Sequence, residues 1–411
     1  MSPQPPSAPL RLLVLGTGFV SGAVAAEAVA RGHDVTCVAR GTDGGPPAGA
    51  RLVRADRNAP DGLAPLRGHT FDAVVETATL SLPWVERALR DVRAGHWTFI
   101  SSISVYADTY TRGQTARTAR LRPALPDVGP YDPVRDPEPS QAVYGGVKLA
   151  CEQAVREATS DTAFVVRPGL IVGPGDGVGP FGYWPLRMAR GRATAVPAAD
   201  DADDAVLPAQ CVDVRDLASW IVDGAAARTS GVYDAAGPPV SLESLLQEVA
   251  DAVGHSGLEL VPVPEHVLRE AGVRPWTGRP SMPLWPPREL YGALSRDVMS
   301  SFEAGLRIRP VAETAEAVLR DRLGRGAGTP PVACRAADQA GRGDRRSGAA
   351  GPPRPRRGHA SGGGPDTRGR GVAVASRRGL TVTETTPKAA CATGVGLHDA
   401  IQGWHTSGHL R

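Results

Sequence analysis

The chain has 411 residues, 41% of them hydrophobic and 22% charged, enough for one large domain or two smaller ones with a sizeable core. No apolar run approaches the roughly 18 residues that span a bilayer, and the first ten residues lack the basic and apolar parts of a signal peptide. Five scattered cysteines without a C-x-x-C pair suggest neither a metal site nor a disulfide framework. We therefore expect a cytoplasmic protein with no metal and no membrane partner.

Charge divides the chain near residue 325. Residues 326–411 hold 13 Lys and Arg against 5 Asp and Glu, or +8, whereas the rest holds 33 against 38, or −5. The mildly acidic body argues against nucleic-acid binding. The Gly/Pro/Arg-rich segment 326–411 and the Pro/Ser-rich leader 1–9 are predicted to be disordered. The tail has three open interpretations: a basic arm for an anionic partner, a solvated extension without a site, or the product of a shifted reading frame.

Between these ends, strands alternate with helices. In chain order the pattern predicts a strand at "LRLLVLG", a helix at "SGAVAAEAVARG", strands at "HDVTCVAR", "RLVRAD" and "FDAVVETA", a helix at "PWVERALRDV" and a strand at "HWTFISS". A long loop over 109–140, a helix that holds Lys148 and the strand "TAFVVRPG" follow. This alternation predicts parallel βαβ units, and hence a doubly wound, Rossmann-like sheet in a domain over 10–325. Residues 170–310 are expected to form most of a smaller substrate-binding cap, with a Pro/Trp-rich loop region at 262–290.

The first predicted strand runs into "GTGFVSG", residues 16–22, at the start of a helix. A glycine-rich turn lets the backbone approach a pyrophosphate, and the helix N-terminus supplies free N–H groups and a partial positive charge. The spacing is irregular, because Leu15 and Ser21 hold the outer positions of a G-x-x-G-x-x-G frame in which Gly18 fits the middle. The turn predicts dinucleotide binding, with a structural turn as the alternative.

The end of the second strand bears on the choice of cofactor. NAD-selective sites place a carboxylate there for the ribose 2′-hydroxyl, whereas an arginine suits a 2′-phosphate. This chain has Arg40 and no carboxylate at that point, which favours NADP over NAD unless Arg40 is simply a surface residue. Asp56, at the end of the third strand, is placed to meet the adenine edge.

Lys148 is the only lysine in the first 325 residues, and it follows Tyr144 by four residues. On a helix, residues four apart lie on one face, one turn from each other. A neighbouring ammonium favours the phenolate, and so lowers a phenol pKa of about 10 towards the range that proton exchange needs. It also fits ribose hydroxyls better than a planar guanidinium does. Because Ser101 and Ser102 end a strand at the same crevice, we predict a Ser/Tyr/Lys set.

Over residues 10–322 the chain resembles the extended short-chain dehydrogenase/reductase family, also called the NAD-dependent epimerase/dehydratase family, and within it an atypical bacterial reductase-like branch. The resemblance rests on "GTGFVSG", "GHDVTCVARG", "SSISVYAD", "YGGVK" and "RPGLIVGPGD". It implies that Ser102 is the catalytic serine, Tyr144 the acid/base and Lys148 its activator. It further implies a set of cofactor-binding residues: Gly16, Gly18, Phe19, Val20, Arg40, Asp56, Thr77, Lys148, Arg167 and Gly169.

Three departures limit what the resemblance implies. Ile103 and Ser104 stand where sugar-nucleotide dehydratases have an Asp-Glu pair, so the acid and base for elimination are missing. Leu170 stands where sugar-nucleotide epimerases have an asparagine for the substrate pyrophosphate, which argues against a nucleotide sugar. Ser21 replaces the third glycine of the turn, which could weaken cofactor binding.

The leading hypothesis is an NAD(P)-dependent oxidoreductase that reduces a carbonyl, or oxidises a secondary alcohol, of a small molecule. The alternatives are an epimerase that acts by transient oxidation and a non-catalytic dinucleotide sensor; the complete Ser/Tyr/Lys set argues against the sensor. Trp184 and Arg187 are the candidate substrate contacts, with a core position as the alternative for Trp184. The resemblance also implies a homodimer packed through the Tyr144 helix and its neighbour at 83–93. Three apolar residues are available for that interface: Val147, Cys151 and Val155.

Overall fold

The computed structural model describes residues 8–42, 44–78, 81–126, 141–177, 179–200, 206–276 and 280–325, all in one compact unit. The strands in these ranges are β1 Arg11–Leu15, β2 Asp34–Ala39, β3 Arg51–Arg54, β4 Thr70–Phe71, β5 Ala73–Glu76, β6 Arg93–Ala94, β7 Trp97–Ile100, β8 Phe164–Pro168, β9 Leu170–Val172, β10 Arg192–Ala198, β11 Pro208–Ala209, β12 Cys211–Asp213, β13 Gly231–Ala235, β14 Val240–Ser241, β15 Leu258–Pro264, β16 Arg274–Pro275 and β17 Ser281–Met282. The helices are α1 Phe19–Ala30, α2 Leu82–Asp91, α3 Gln141–Ala158, α4 Tyr183–Met188, α5 Val214–Ala227, α6 Leu242–Val253, α7 Glu265–Glu270, α8 Met299–Glu303 and α9 Val311–Gly324. The predicted tail 326–411, residues 1–7 of the predicted leader and residues 127–140 of the predicted loop lie outside the described ranges.

Seven strands form one parallel sheet in the order β13-β8-β7-β5-β1-β2-β3. Because β1 pairs with β2 on one side and with β5 on the other, the strand order reverses at β1. Ligands of such sheets bind outside the carboxyl ends of the strands at that reversal. The inner strands β1 and β7 are near-continuous apolar runs, as strands covered on both faces require. The predicted doubly wound, Rossmann-like fold is confirmed.

Side-chain alternation along β1 divides the core between the two faces of the sheet. Leu13 and Leu15 pack into one apolar cluster with residues of α2 and α3. Leu12 and Val14 pack into a second cluster with residues of α1 and α5. Successive strand residues point to opposite faces, so one apolar strand serves both layers. The helix with Tyr144 and Lys148 thus lies flat on the sheet.

A third apolar cluster lies mostly within residues 170–310, the segment predicted to form the cap and called the cap below. It surrounds the fully buried Trp184 and Trp285. It also takes in residues outside the predicted 170–310 segment, such as Tyr106 and Ala315. The prediction of a loop region at 262–290 was wrong in part, because this stretch contains the end of β15, helix α7 and the short β16 and β17. Proline in β15 is tolerated because this strand pairs with β10 alone.

Candidate functional site

The turn after β1 packs closely against neighbouring side chains, and this packing requires glycine at position 16. Gly16 has φ +142°, and a Cβ there would lie 2.9 Å from both Ser21 Oγ and Thr77 Oγ1. Helix α1 then begins at Phe19 with Gly18 as its N-cap, without a side-chain cap and without an acidic residue in the first turn. A pyrophosphate fits this turn, since backbone N–H groups and the positive end of the helix dipole face it. Phe19 and Val20 are partly buried at the helix start.

The predicted contacts for the adenosine end follow β2 and β3 at the same edge of the sheet. Arg40 comes directly after β2 and is exposed. Asp56 follows β3 and is exposed, and its Oδ1 accepts a hydrogen bond from the Asn58 N–H at 3.0 Å. Thr77 ties the ends of β5 and β1 together, because its hydroxyl donates to the Leu15 carbonyl at 2.8 Å. Their roles in cofactor binding stay predictions.

Helix α3 sits directly on the turn that follows β7. A Cβ on Gly145 would lie 2.0 Å from the Ser104 carbonyl oxygen, so only glycine permits this contact. Within the turn, the Ser104 N–H donates to Ser102 Oγ at 3.1 Å, and the Ser102 hydroxyl donates to Ser104 Oγ at 3.1 Å. The structure therefore brings the first turn of α3, with Tyr144, against the segment that carries Ser102.

Lys148 is 3% exposed and Tyr144 is 4% exposed, so both lie inside the protein. The Lys148 ammonium donates to the Ala78 carbonyl at 2.5 Å and to the Ile100 carbonyl at 2.8 Å, which links the ends of β5 and β7. Its Nζ lies 5.9 Å from the centre of the Tyr144 ring. Burial lowers the pKa of Lys148 to about 8, which still leaves the side chain mostly charged at neutral pH.

A buried carboxylate on α3, not among the predicted site residues, lies behind this arrangement. Glu152 accepts a short hydrogen bond from the Ser101 hydroxyl, and its two oxygens accept from Nε and Nη2 on one edge of the Arg167 guanidinium, at 2.9 and 2.6 Å. Burial opposes the charge on Arg167, but the hydrogen bonds and charge of Glu152 outweigh it and raise the arginine's pKa. The spacing of Glu152, one turn beyond Lys148, is the sequence signal that could have identified it.

The predicted cofactor residue Arg167 thus directs its side chain into an ion pair. Its Nη1 also donates to the Tyr106 hydroxyl at 2.9 Å, and Tyr106 in turn donates to Asp234 at 2.5 Å. Asp234 is paired with Arg296, whose Nε lies 2.7 Å away. These groups are all buried and extend from α3 through β8 and β13 to the cap. The backbone of the turn at Gly169 stays a predicted cofactor contact.

The predicted substrate contacts in the cap have internal partners. Trp184 is completely buried, and its indole N–H donates to the Pro283 carbonyl at 3.0 Å. The Arg187 guanidinium, also buried, donates to the carbonyls of Gly191 and Ala193 at 2.8 and 2.7 Å. Trp184 and Arg187 therefore both stabilise the cap through internal hydrogen bonds. Their contact with a substrate stays a prediction.

The three apolar residues assigned to a dimer interface do not lie on the surface. Val147, Cys151 and Val155 are completely buried within the single chain, in the cluster between α3 and the sheet. The assignment of these three residues to the interface was wrong, because the side of α3 that carries them faces the strands; the homodimer itself stays a prediction. Among the described residues, no cluster of His, Cys, Asp and Glu is arranged to hold a metal, and no helix has the length and apolar character to cross a membrane.

No protein-family model and no curated protein matches the sequence. Solved structures do match. The Bordetella bronchiseptica enzyme WbmH in complex with NAD+ is 17% identical, with 78% of this chain and 100% of that chain covered, at a TM-score of 0.51. The UDP-glucose 4-epimerase of Thermus thermophilus, in complex with NAD, is 18% identical, with 75% and 98% covered, at 0.50. The UDP-N-acetylglucosamine 4-epimerase of Bacillus cereus is 15% identical, with 76% and 98% covered, at 0.51. At such identities the likeness establishes a shared fold.

Proposed function

We propose that the protein is an NAD(P)-dependent enzyme that reduces a carbonyl, or oxidises a secondary alcohol, of a small molecule. The observation that carries the proposal is the place of Lys148. It lies one turn after Tyr144 and is bonded to the ends of β5 and β7, beside the reversal of strand order where such sheets bind ligands.

A bound nicotinamide dinucleotide would supply or accept the hydride. Gly16, Gly18 and the first turn of α1 hold its pyrophosphate in this proposal, because the start of α1 has no side-chain cap and offers N–H donors. During reduction, Tyr144 gives its proton to the substrate oxygen, and during oxidation it takes that proton back. Ser102 donates a hydrogen bond to the same oxygen. The charged Lys148 favours the phenolate form of Tyr144 between these steps.

We propose NADP(H) as the preferred cofactor. Support comes from Arg40 after β2 and from the lack of a carboxylate at that strand end, since a guanidinium suits a 2′-phosphate. Two of the compared structures hold NAD. The proposed preference for NADP(H) therefore rests on Arg40 of this chain and not on the compared structures.

Reduction of a small, mostly apolar carbonyl compound is the leading version of this function. Leu170 lines a cavity of about 10 Å³ within the cap, together with Phe181, Trp276 and other apolar residues. That space is no larger than about one water molecule, so it is a gap in a packed core and would have to widen for any substrate. Its apolar lining nonetheless suits a hydrophobic group better than a pyrophosphate.

Epimerisation by transient oxidation is the second candidate. It is favoured by the compared structures, which include a UDP-glucose 4-epimerase and a UDP-N-acetylglucosamine 4-epimerase matched over 98% of their lengths. Cofactor use separates the two reactions, because an epimerase oxidises and reduces the same molecule and so consumes no net cofactor. UDP-glucose with trace NAD+ tests the epimerase, and a panel of ketones and aldehydes with stoichiometric NADPH tests the reductase.

The Tyr144→Phe variant tests the mechanism common to both. We expect it to lose at least about 100-fold in kcat, because a phenyl ring has no proton to exchange, while its Kd for NADPH changes by less than about two-fold. Stopped-flow absorbance at the reduced-nicotinamide band measures turnover, and fluorescence titration measures binding. Full activity in Tyr144→Phe would refute this mechanism, and no binding of either NADH or NADPH by the wild type would refute the function.

A further inference from the structure

Three functional side chains lie on one stripe of α3, one turn apart. Tyr144, Lys148 and Glu152 occupy successive i, i+4 positions, and all three are buried. In the proposed mechanism Tyr144 transfers the proton, and Lys148 favours the phenolate form of Tyr144. The third is assigned no role by the proposed mechanism, although a carboxylate this deeply buried is costly unless something in the structure compensates it.

Lys148 and Glu152 hold two consecutive residues of the strand end. Lys148 donates to the carbonyl of Ile100, and Glu152 accepts from the hydroxyl of Ser101. The next residue is Ser102. Both contacts join helix α3 to the two-residue segment 100–101. Two contacts at adjacent residues fix both the distance of this segment from α3 and its orientation relative to the helix.

We infer that Glu152 is a positioning residue of this site: through Ser101, and together with Lys148, it sets where the Ser102 hydroxyl lies relative to Tyr144. The inference rests on the proposed function, in which those two hydroxyls share one substrate oxygen. Arg167 belongs to the same arrangement, because its two hydrogen bonds to Glu152 hold the carboxylate in one orientation.

Charge gives Glu152 a second effect on the same site. The charged or titratable groups that act on Lys148 are Glu76 at the end of β5, itself paired with Arg57, and Cys151 and Glu152 on α3. The charge of Glu152 raises the pKa of Lys148 and so works against burial, which lowers it. Loss of this carboxylate should therefore weaken the hold on Ser101 and also reduce the charge on Lys148 near neutral pH.

Direct titration of Lys148 tests the electrostatic part without any substrate. The chain contains two lysines, Lys148 and Lys388, so protein labelled with ¹³C/¹⁵N-lysine gives two side-chain signals, which a Lys388→Arg variant assigns. We expect the Lys148 signal of full-length protein to titrate near pH 8, and to titrate at lower pH in Glu152→Gln. The matched control is Asp213→Asn, another buried, arginine-paired carboxylate, whose partners are Arg215 and Thr314. An unchanged Lys148 titration in Glu152→Gln would overturn this part.

Turnover of Ser101 variants tests the positioning part and leaves both charges in place. Ser101→Ala removes the hydroxyl that Glu152 holds, and we expect kcat to fall about ten-fold or more with little change in KM for the cofactor. Ser101→Thr keeps a hydroxyl and should restore most of the rate. Equal kcat in Ser101→Ala and wild type, measured well below both melting temperatures, would overturn the inference. A purely structural role would lower thermal stability alike in Glu152→Gln and Asp213→Asn, without the selective loss of kcat.

The two sets of measurements separate failure of this inference from failure of the proposed function. A wild type that binds neither NADH nor NADPH refutes the proposed function, and the positioning role falls with it. A wild type that turns over, with a Tyr144→Phe variant that does not, supports the function. In that case equal rates for Ser101→Ala and wild type refute Glu152 positioning alone.

Discussion

The carboxyl edge of the sheet has two halves that are built in opposite ways. In the proposed function one half of this edge binds the nucleotide and the other performs catalysis, and we call them the nucleotide half and the catalytic half. The nucleotide half follows β1, β2 and β3, and it offers a glycine turn and the exposed side chains of Arg40 and Asp56. The catalytic half follows β5, β7 and β8, and there Lys148, Glu152 and Arg167 are each at most 3% exposed. The first half presents backbone and exposed side chains, whereas the second contains a buried ion pair and a buried ammonium that donates to two backbone carbonyls.

This difference in burial agrees with the tasks that the proposed function gives the two halves, which are nucleotide binding and proton transfer. Phosphate and ribose groups bring their own charge and hydrogen-bonding atoms, so backbone N–H groups and a few exposed side chains suffice to meet them. Proton transfer requires donor and acceptor at a fixed position, which demands groups held by their neighbours before the substrate arrives. Buried ion pairs are weak sources of stability, because desolvation offsets their attraction. In the catalytic half they fix position.

The largest difference in stability between the two halves is expected when a methyl group is added to α3. In Gly145→Ala the new Cβ would lie 2.0 Å from the Ser104 carbonyl oxygen, so helix and turn must separate. We expect a loss of about 3 kcal/mol in the free energy of unfolding, together with loss of activity. Gly22→Ala on α1 is the matched control in the nucleotide half, since its Cβ would meet the Thr17 carbonyl oxygen at an ordinary 3.6 Å. Urea denaturation compares the two, and equal stability would contradict the packed arrangement of α3.

A pH-dependent stability change is the next largest effect, and it comes from Lys148 in the catalytic half. The pKa of Lys148 is lowered by burial from an ordinary 10.5 to about 8, so between these values the unfolded chain binds more protons than the folded one. Stability contributed by this group therefore rises with pH across that window and is absent below it. We expect the free energy of unfolding of the wild type, relative to Lys148→Met, to rise by about 3 kcal/mol between pH ~8 and pH ~10.5. A flat difference in urea titrations over that range would show that Lys148 is solvated.

The smallest predicted effect lies in the nucleotide half. Arg40→Ser removes one guanidinium from the end of β2, and we expect the Kd for NADPH to rise about ten-fold while the Kd for NADH stays the same. Calorimetric titration of both cofactors measures this. A parallel loss of NADH binding would mean that Arg40 supports the fold of the turn instead of recognising a 2′-phosphate.

The two halves also differ in how far the sequence predicts them. The alternation of strands and helices, the glycine turn and the Tyr144–Lys148 spacing follow from local sequence patterns, because each depends on residues close together in the chain. Glu152 continues the same i, i+4 pattern, so its place on the same side of α3 as Tyr144 and Lys148 could also have been predicted from the sequence. The apolar residues at 147, 151 and 155 share that inward-facing side of α3, which explains why they are buried and not available to a second subunit.

The remaining catalytic half was beyond prediction for a physical reason. Arg167 joins Glu152 across 15 residues, and Tyr106 joins Asp234 across 128, so no local pattern marks these partners. A buried arginine looks the same in a sequence as a surface one until the fold brings a carboxylate to it. The same applies to Trp184, for which a core position was the alternative, and which the structure buries completely.

The central claim is that the catalytic half receives the nicotinamide end of a dinucleotide beside Lys148. The most direct test follows the labelled Lys148 side-chain signal while ligand is added. NADPH carries both halves of the dinucleotide, whereas 2′,5′-ADP carries only the adenosine end and should occupy the nucleotide half. We predict that NADPH shifts the Lys148 signal and that saturating 2′,5′-ADP leaves it unchanged. If NADPH binds and the Lys148 signal does not move, the nicotinamide does not lie in this half and the account is contradicted.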